Sequence, residues 1–569
     1  MSNIRSFSIS GPGGQEPPTR QNSISGTGGH LARVETHVAE DAAKVAQAEG
    51  SMTLVEGLKT YPKAVGWSIL LSTCIIMEGF DIVLINSLSA LPAFRLKFGT
   101  LQPDGEYQIS AAWQSGLANG ALVGEVLGLF FIGIIADKFG FKKTIIGALV
   151  LLTCFIFIVF FAQNLPMLLV GEILMGLPWG AFQTLTTTYA AEVCPVSLRA
   201  YLTTYVNLCW VIGQFLSSAV LKGVSNEVGP IGYKLPYGLQ WMWPIPLIVG
   251  ISLAPESPWW LVRKGRKEEA KHSLLRLTSR NQPNFDADKT ISMMHYTNEL
   301  EKATTEGTSY LDCFRGFDLR RTEIVSMVWA IQTLCGGSSI IGYSTYFFEQ
   351  AGLSSANSFS LSLGTYALGA VGTLLSWFLM TWFGRRTLYF YGQIGMIVIL
   401  FIIGCLGIVA KENAGAQWGI AAMVMIYTFV YDATVGPVCY SLVAEISSTR
   451  LRNKTVVLAR NLYNVTGVIS NILTPHMINP TSWNWGAKIG FFWAGSCILC
   501  AIWTFFRLPE PKGRSYAEMD ILFEAKVPAR KFKYTSVENF SSDSAHVSGA
   551  DLSAEKNALH HVESAKSEL

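Results

Sequence analysis

The stretch "SILLSTCIIMEGFDIVLINSL", Ser68–Leu88, is almost wholly apolar and long enough to cross a bilayer, yet it carries Glu78 and Asp81. Even the lower scales put one acid at the centre of a membrane helix at about 2.5 to 3.5 kcal/mol, so such residues face an interior cavity and serve function. The two acids are three residues apart and therefore neighbours on one helical face. A helix of this kind needs other helices around its polar face.

Composition agrees with a bilayer environment. Half of the 569 residues are hydrophobic and 15% are charged, against about 25% in soluble domains, and the mean hydropathy is positive. A net charge of +3 gives no footprint for nucleic acid. Ten cysteines are scattered, most of them in apolar runs. Cys497 and Cys500 have a C-x-x-C spacing but no second Cys or His pair, so no metal and no cofactor are expected. Residues 1–62 and 511–569, rich in Ser and Gly at their outer parts, are expected to be tails, the first disordered and the second mostly so.

Runs of about 20 apolar residues predict twelve spans: 65–91, 110–136, 144–162, 166–192, 202–224 and 237–254, then 323–349, 358–382, 387–410, 417–445, 455–478 and 486–507. These fall into bundles of 63–262 and 322–510, joined by a polar segment, 263–321, that reads as short amphipathic helices. Basic residues such as Lys142, Lys143, Arg263, Arg385, Arg386 and Arg452 cluster at even-numbered connections, which places both termini and the linker in the cytosol. The sequons at Asn453, Asn464 and Asn539 then lie in cytosol or membrane, where they stay unglycosylated. The halves repeat: Gly140 recurs as Gly384, Glu192 as Glu445 and Glu256 as Glu510, at offsets of 244, 253 and 254 residues. Two similar bundles around a midplane cavity suit a carrier that rocks one half against the other.

The residues that carry this repeat also resemble a known family. Gly133, Asp137, Gly140, Lys142 and Lys143 resemble the G-x-x-x-D-x-x-G-x-[RK]-[RK] loop of the major facilitator superfamily, and "PESPWWLVRKGR" and "LPEPKGR" are similar to two sugar-porter motifs. Longer stretches, among them "YKLPYGLQWMWPIPLIVGISLAPESPWWLVRKGR" and "SWNWGAKIGFFW", resemble the fungal maltose and general α-glucoside permeases. The resemblance implies an all-α polytopic membrane protein with the major facilitator fold: twelve helices in two pseudo-symmetric six-helix bundles. It further implies proton-coupled uptake of maltose-type sugars at the plasma membrane, without enzymatic activity. Three positions depart from the family pattern: Thr381 stands where the second loop motif usually has Asp, Trp259 replaces the Arg of PESPR, and Glu172 occupies a fourth-helix position where many proton-linked relatives have Arg.

A sugar requires amide or hydroxyl partners for its hydroxyls and aromatic faces for its C–H surfaces. In the seventh span Gln332, Ser339, Tyr343 and Tyr346 recur at helical spacing, and "QTLCGGS" resembles the motif QQ-x-x-G-x-N, with Gln332 keeping the first Gln and Ser338 replacing the Asn. Asn207 and Gln214 share a face of the fifth span, at positions that resemble sugar-contacting glutamines. Tyr440 stands where the related GPIPW element has its Trp, and Tyr463 and Asn464 resemble the polar and aromatic pair of the eleventh span.

For proton coupling the resemblance points to Asp81 as the main group, with Glu78 and Glu125 coupled to it and Arg460 as the cationic partner. An acid that gains and loses an Arg partner during rocking binds and releases a proton on opposite sides. One proton crossing 100 mV gains about 2.3 kcal/mol and one pH unit adds about 1.4 kcal/mol, enough for a sugar gradient of several hundredfold. Asp137, Glu192 and Arg199 in one half, and Arg385, Glu445 and Arg452 in the other, are expected to form a cytosolic gate, since both E-x6-R pairs keep one spacing. The protein is expected to function as a monomer in the lipid bilayer. Ubiquitin machinery is a further expected partner, acting on the cytosolic tails at lysines such as Lys526, Lys531 and Lys533. A hexose facilitator, or a sugar sensor that does not transport, remains an alternative.

Overall fold

The computed structural model describes residues 54–103, 105–279, 286–305, 309–410, 413–447, 451–514 and 516–535. Residues 1–53 and 536–569 of the expected tails, the sequon at Asn539 and the side chain of Arg199 lie outside the described residues.

The first half contains α1 (Pro62–Ser72), α2 (Cys74–Ser87), α3 (Ala111–Phe139), α4 (Phe141–Phe160), α5 (Leu165–Val193), α6 (Val196–Val224), α7 (Pro230–Leu239) and α8 (Pro244–Leu253). Three short helices follow, α9 (Pro258–Arg263), α10 (Lys267–Leu277) and α11 (Ala287–Thr305). The second half contains α12 (Gly316–Leu334), α13 (Gly337–Ile340), α14 (Ser344–Gln350), α15 (Ser355–Trp382), α16 (Arg385–Val409), α17 (Ala414–Ala433), α18 (Val435–Ile446), α19 (Arg452–Ile478), α20 (Ile489–Arg507) and α21 (Tyr516–Glu524). Each of the twelve expected spans coincides with helix. Among the described residues nine spans are long and apolar enough to cross a membrane, and the bent run from Gly316 to Gln350 makes a tenth. The remaining two fall short for visible reasons: a 3₁₀ turn, Gln240–Met242, interrupts α7–α8, and α19 carries Arg460, Asn461, Asn464 and Asn471. Large apolar side chains on the outer surface, Phe130, Phe131, Ile134, Phe401 and Leu499 among them, are exposed, as a bilayer-facing belt requires. The protein is a multi-pass membrane protein.

Local chemistry sets the helix ends. Ser110 caps α3, and Asn164 caps α5 by accepting the Met167 N–H at 2.9 Å, with a proline just inside the α5 start. Between α3 and α4 the chain turns on Gly140, at φ 89°, where a Cβ would strike the Glu256 carboxyl. Glu256 accepts the backbone N–H groups of Phe141 and Lys142 at 3.0 and 3.2 Å, so an acid sits on the positive end of α4. Glu510 does the same for α16, accepting the Arg385 N–H at 2.8 Å. These are the repeated acids of the two "PE" motifs. Burial pushes the Glu256 carboxyl above its usual range, opposed by the N–H groups of Ser257, Lys142 and Phe141.

Within the first bundle α3 packs on α5 and α2 on α6; within the second α15 packs on α17 and α12 on α19. The bundles meet along α6 with α15 and α3 with α19. At the end remote from the termini they are latched: Arg95 pairs with Glu349, Asn479 Nδ2 donates to the Ile109 carbonyl at 2.9 Å, and Lys222 Nζ donates to the Ala356 carbonyl at 2.7 Å.

Two segments differ from the sequence reading. The seventh span is not one helix: it is interrupted after Leu334, with Gly336 at φ 88°, and again after Ile340, where Gly316–Ile340 and Ser344–Gln350 meet at 49°. The helical face proposed for Gln332, Ser339, Tyr343 and Tyr346 is therefore split. At the other end of the chain, residues 516–535 are folded rather than tail-like. Arg321, 2% exposed, pairs with Asp520 and lies over the Phe523 ring at 4.6 Å, while Phe523 and Phe532 pack together at 5.0 Å. The aromatic pair covers two arginines that a bare helix end would expose.

Candidate functional site

Between the bundles lies a cavity of about 1180 Å³ counting its open mouth, lined from both halves. Of the expected sugar contacts, Asn207, Gln214, Gln332, Ser338, Tyr440 and Tyr463 line it. Ser339, Tyr343 and Asn464 do not. Ser339 bonds Ser470 at 3.0 Å and also Thr474, Tyr343 is buried beside the helix break, and Asn464 donates to Glu125 at 3.4 Å.

Gln332 is held in place from two sides. Its Nε2 donates to Cys439 Sγ at 3.0 Å and its Oε1 accepts from Tyr431 at 2.9 Å, which fixes the amide plane that faces the cavity. Trp329, one turn earlier, meets Tyr440 and Tyr463 edge-on at 5.0 and 5.5 Å. The Arg460 guanidinium lies over Trp329 and Tyr463 at 5.0 and 4.5 Å and pairs with Glu125 at 3.2 Å. Glu125 belongs to the first bundle and Arg460 to the second, so one buried ion pair joins the halves at the cavity wall.

Glu78 and Asp81 take different hydrogen-bond partners. Glu78 accepts a hydrogen bond from Gln183 and lies within electrostatic reach of Glu125 and Arg460, away from the cavity lining. Asp81 lines the cavity and accepts from Gln240, in the 3₁₀ turn between α7 and α8. Three residues on α2 thus separate two polar clusters.

Of the expected gate residues, Arg385 and Glu445 pair with each other within the second bundle. Arg385 Nε lies 3.1 Å from Glu445. Glu192 is taken by Arg263 at 2.6 Å and by the Ser257 hydroxyl, and the Asp137 carbonyl accepts from Trp260 at 3.1 Å. Arg452 is half-buried at the start of α19.

Sequence reasoning missed Trp179, Trp210, Trp329, Tyr431 and Asn86 as lining residues, and it counted Asp432 among the intramembrane acids without assigning it to the cavity that it lines. A signal was present for three of them. Trp210 stands three residues after Asn207 and four before Gln214, and Trp329 three before Gln332, so each shares the face already marked by an amide. Asp432 was visible as an acid within an apolar run. Trp179 and Tyr431 carry no such mark and converge only through packing.

Residues 67–523 match the family model described as sugar (and other) transporter. The chain is 44% identical over 509 residues to the maltose permease MAL61 of Saccharomyces cerevisiae, covering 88% of this chain and 82% of the relative. It is 44% identical over 511 residues to the general alpha-glucoside permease of the same yeast, covering 89% and 82%. The fold is similar to the proton:xylose symporter XylE bound to 6-bromo-6-deoxy-D-glucose, with a TM-score of 0.67 at 19% identity, covering 82% of this chain and 100% of that one. It is also similar to the xylose transporter XylE from E. coli in a partially occluded inward open conformation, with a TM-score of 0.66 at 17% identity, covering 80% and 99%. A membrane-embedded pair of six-helix bundles with an amide- and aromatic-lined cavity between them, matched over most of its length by these permeases, belongs to the sugar transporter family.

Proposed function

We propose that the protein imports maltose-type α-glucosides together with protons across the plasma membrane, by alternating access and as a monomer. The observation that carries this reading is the Glu125–Arg460 pair, which spans the two bundles at the wall of the cavity. Relative motion of the bundles must change that contact, so an acid beside it meets a different charge environment in each state. The names of the yeast relatives support the sugar class. Basic connections support a cytosolic terminal end, and with that orientation the latched opposite end is the outer one, closed in this state.

Gln332, Asn207, Gln214 and Ser338 take the sugar hydroxyls, and Tyr440 and Tyr463 its C–H faces. Replacing Gln332 by alanine removes an oriented amide worth about 1 to 1.5 kcal/mol, so the maltose KM is expected to rise about tenfold with little change in the maximal rate. An unchanged KM in initial-rate uptake would remove Gln332 from the sugar site.

The deciding experiment records external pH on adding maltose to weakly buffered, energy-starved cells of a host without sugar permeases. Maltose-specific alkalinisation that disappears in Asp81→Asn is the expected result. Maltose uptake with no proton signal would make the protein a facilitator, and no uptake of maltose, glucose or any other sugar offered would favour the sensor reading.

A further inference from the structure

Asp81 is not the end of its own network. Behind it, on α5, stands Glu172, fully buried, at the position that departs from the family pattern. The two carboxyl groups lie within electrostatic reach of each other. Their outer oxygens are each supplied with a donor from the sixth span: Gln240 Nε2 donates to Asp81 Oδ1, and the Tyr237 hydroxyl donates to Glu172 Oε1 at 3.3 Å. Their other oxygens, Asp81 Oδ2 and Glu172 Oε2, receive no hydrogen bond from any N–H or O–H group among the described residues.

Two ionised carboxylates in this arrangement would leave two buried lone-pair sites without a donor and two like charges in contact, each costly away from water. A single proton between them removes both costs, because a protonated carboxyl donates and its ionised neighbour accepts. Among the described residues Arg460 is the cation that lines the same cavity as Asp81, and it is paired with Glu125. The titratable and charged groups around the pair are Tyr237 on α7 and Glu78 one turn earlier on α2, and Arg460 and Glu125 act on Glu78 from beyond it.

We propose that Asp81 and Glu172 form one proton-binding site, a carboxyl pair that holds a shared proton between Oδ2 and Oε2. This rests on the symport reading, which it refines by naming the second acid and the sixth-span residues that position it. Asp81 lines the cavity and Glu172 does not, so the proton arrives from cavity water at Asp81. An O–H bond forms on one facing oxygen while the other accepts it. Release reverses the step, returning the proton to cavity water once the rocking of the bundles has opened the cavity to the other side. Tyr237 and Gln240 are positioning residues, since they act on the carboxyl groups and not on the sugar.

Glutamine at position 172 can donate its own N–H to Asp81, which satisfies the facing oxygen without a proton. Glu172→Gln is therefore expected to lose accumulation of maltose against a gradient, by more than tenfold, while maltose still equilibrates down its gradient. A readout independent of transport is the infrared C=O stretch of a protonated carboxyl in the full-length protein reconstituted in lipid. One pH-titrating band is expected in the wild type and is expected to vanish in Glu172→Gln and Asp81→Asn alike. A band that persists in Glu172→Gln, or accumulation that survives there, overturns the pair. Wild-type protein that keeps the band and loses it in both variants, yet moves no proton with maltose, refutes the symport reading and leaves the pair standing. Should Glu172→Gln fail to reach the cell surface, Tyr237→Phe serves instead. It deletes one donor to the ionised form, so half-maximal uptake is expected to move upward by roughly one pH unit, the equivalent of one hydrogen bond. An unmoved profile overturns the pair.

Discussion

Replacing Arg460 by leucine is expected to abolish maltose accumulation and to lower the amount of folded protein. The substitution leaves Glu125, 2% exposed, with the Asn464 amide as its one remaining donor among the described residues. Removing one partner of a buried ion pair costs about 3 to 5 kcal/mol, because the remaining charge is left uncompensated. It also empties the space over Trp329 and Tyr463. The double variant Glu125→Leu with Arg460→Leu separates structure from coupling, since replacing both charges by apolar groups is commonly neutral or stabilising. Thermal stability in detergent is expected to recover in the double variant. Accumulation is not, and recovery of both would reduce the pair to a static strut.

Gly176→Leu is expected to leave almost no protein in the membrane. On α5, Gly176 sits against α3 so closely that a Cβ would lie 2.1 Å from the Ala121 carbonyl oxygen, and a Cβ at the facing Gly124 would lie 2.0 Å from the Ile173 carbonyl oxygen. Backbone meets backbone here, with no flexible side chain to yield. In a bilayer, helices associate through van der Waals packing rather than through exclusion of apolar surface from water, so small residues decide which faces approach. A four-carbon side chain at Gly176 must push α3 and α5 apart, and α3 carries Glu125 while α5 carries Glu172 and Gln183. Surface labelling is expected to fall more than tenfold. Gly133→Leu on the partner helix α3, where a Cβ meets nothing within 4 Å, is the matched control, and equal loss in both would dismiss the packing argument.

Much of the architecture was legible in the sequence because a bilayer imposes one coarse rule. Every spanning backbone must satisfy its own hydrogen bonds, so a long apolar run is a helix. The repeat of Gly140, Glu192 and Glu256 in the second half displayed the twofold plan for the same reason that Glu256 and Glu510 each seat a helix start. The cavity residues were legible where an amide or tyrosine interrupts an apolar face, as at Asn207, Gln214, Gln332 and Tyr440.

What failed was assignment at finer grain. Ser339 and Tyr343 were put on the face of Gln332 by helical spacing, but the break at Gly336 rotates them away, and a glycine at positive φ is not distinguishable in sequence from one that only allows close packing. Arg263, beyond the last span of its bundle, reaches Glu192, and no motif marked it for that role.

The sequence by itself determined that the chain spans the membrane in two related halves, and which acids, amides and aromatics its helices bury. Only the tertiary structure decided how the acids are partnered. It sends Glu78 to Gln183, Asp81 to Gln240, Glu172 to Tyr237, and Glu125 to Arg460 across the bundle interface. Helical periodicity gives the face on which a side chain leaves its own helix, but a partner is chosen by which other helix packs there, and that choice rests on glycine contacts and bends far away in the chain.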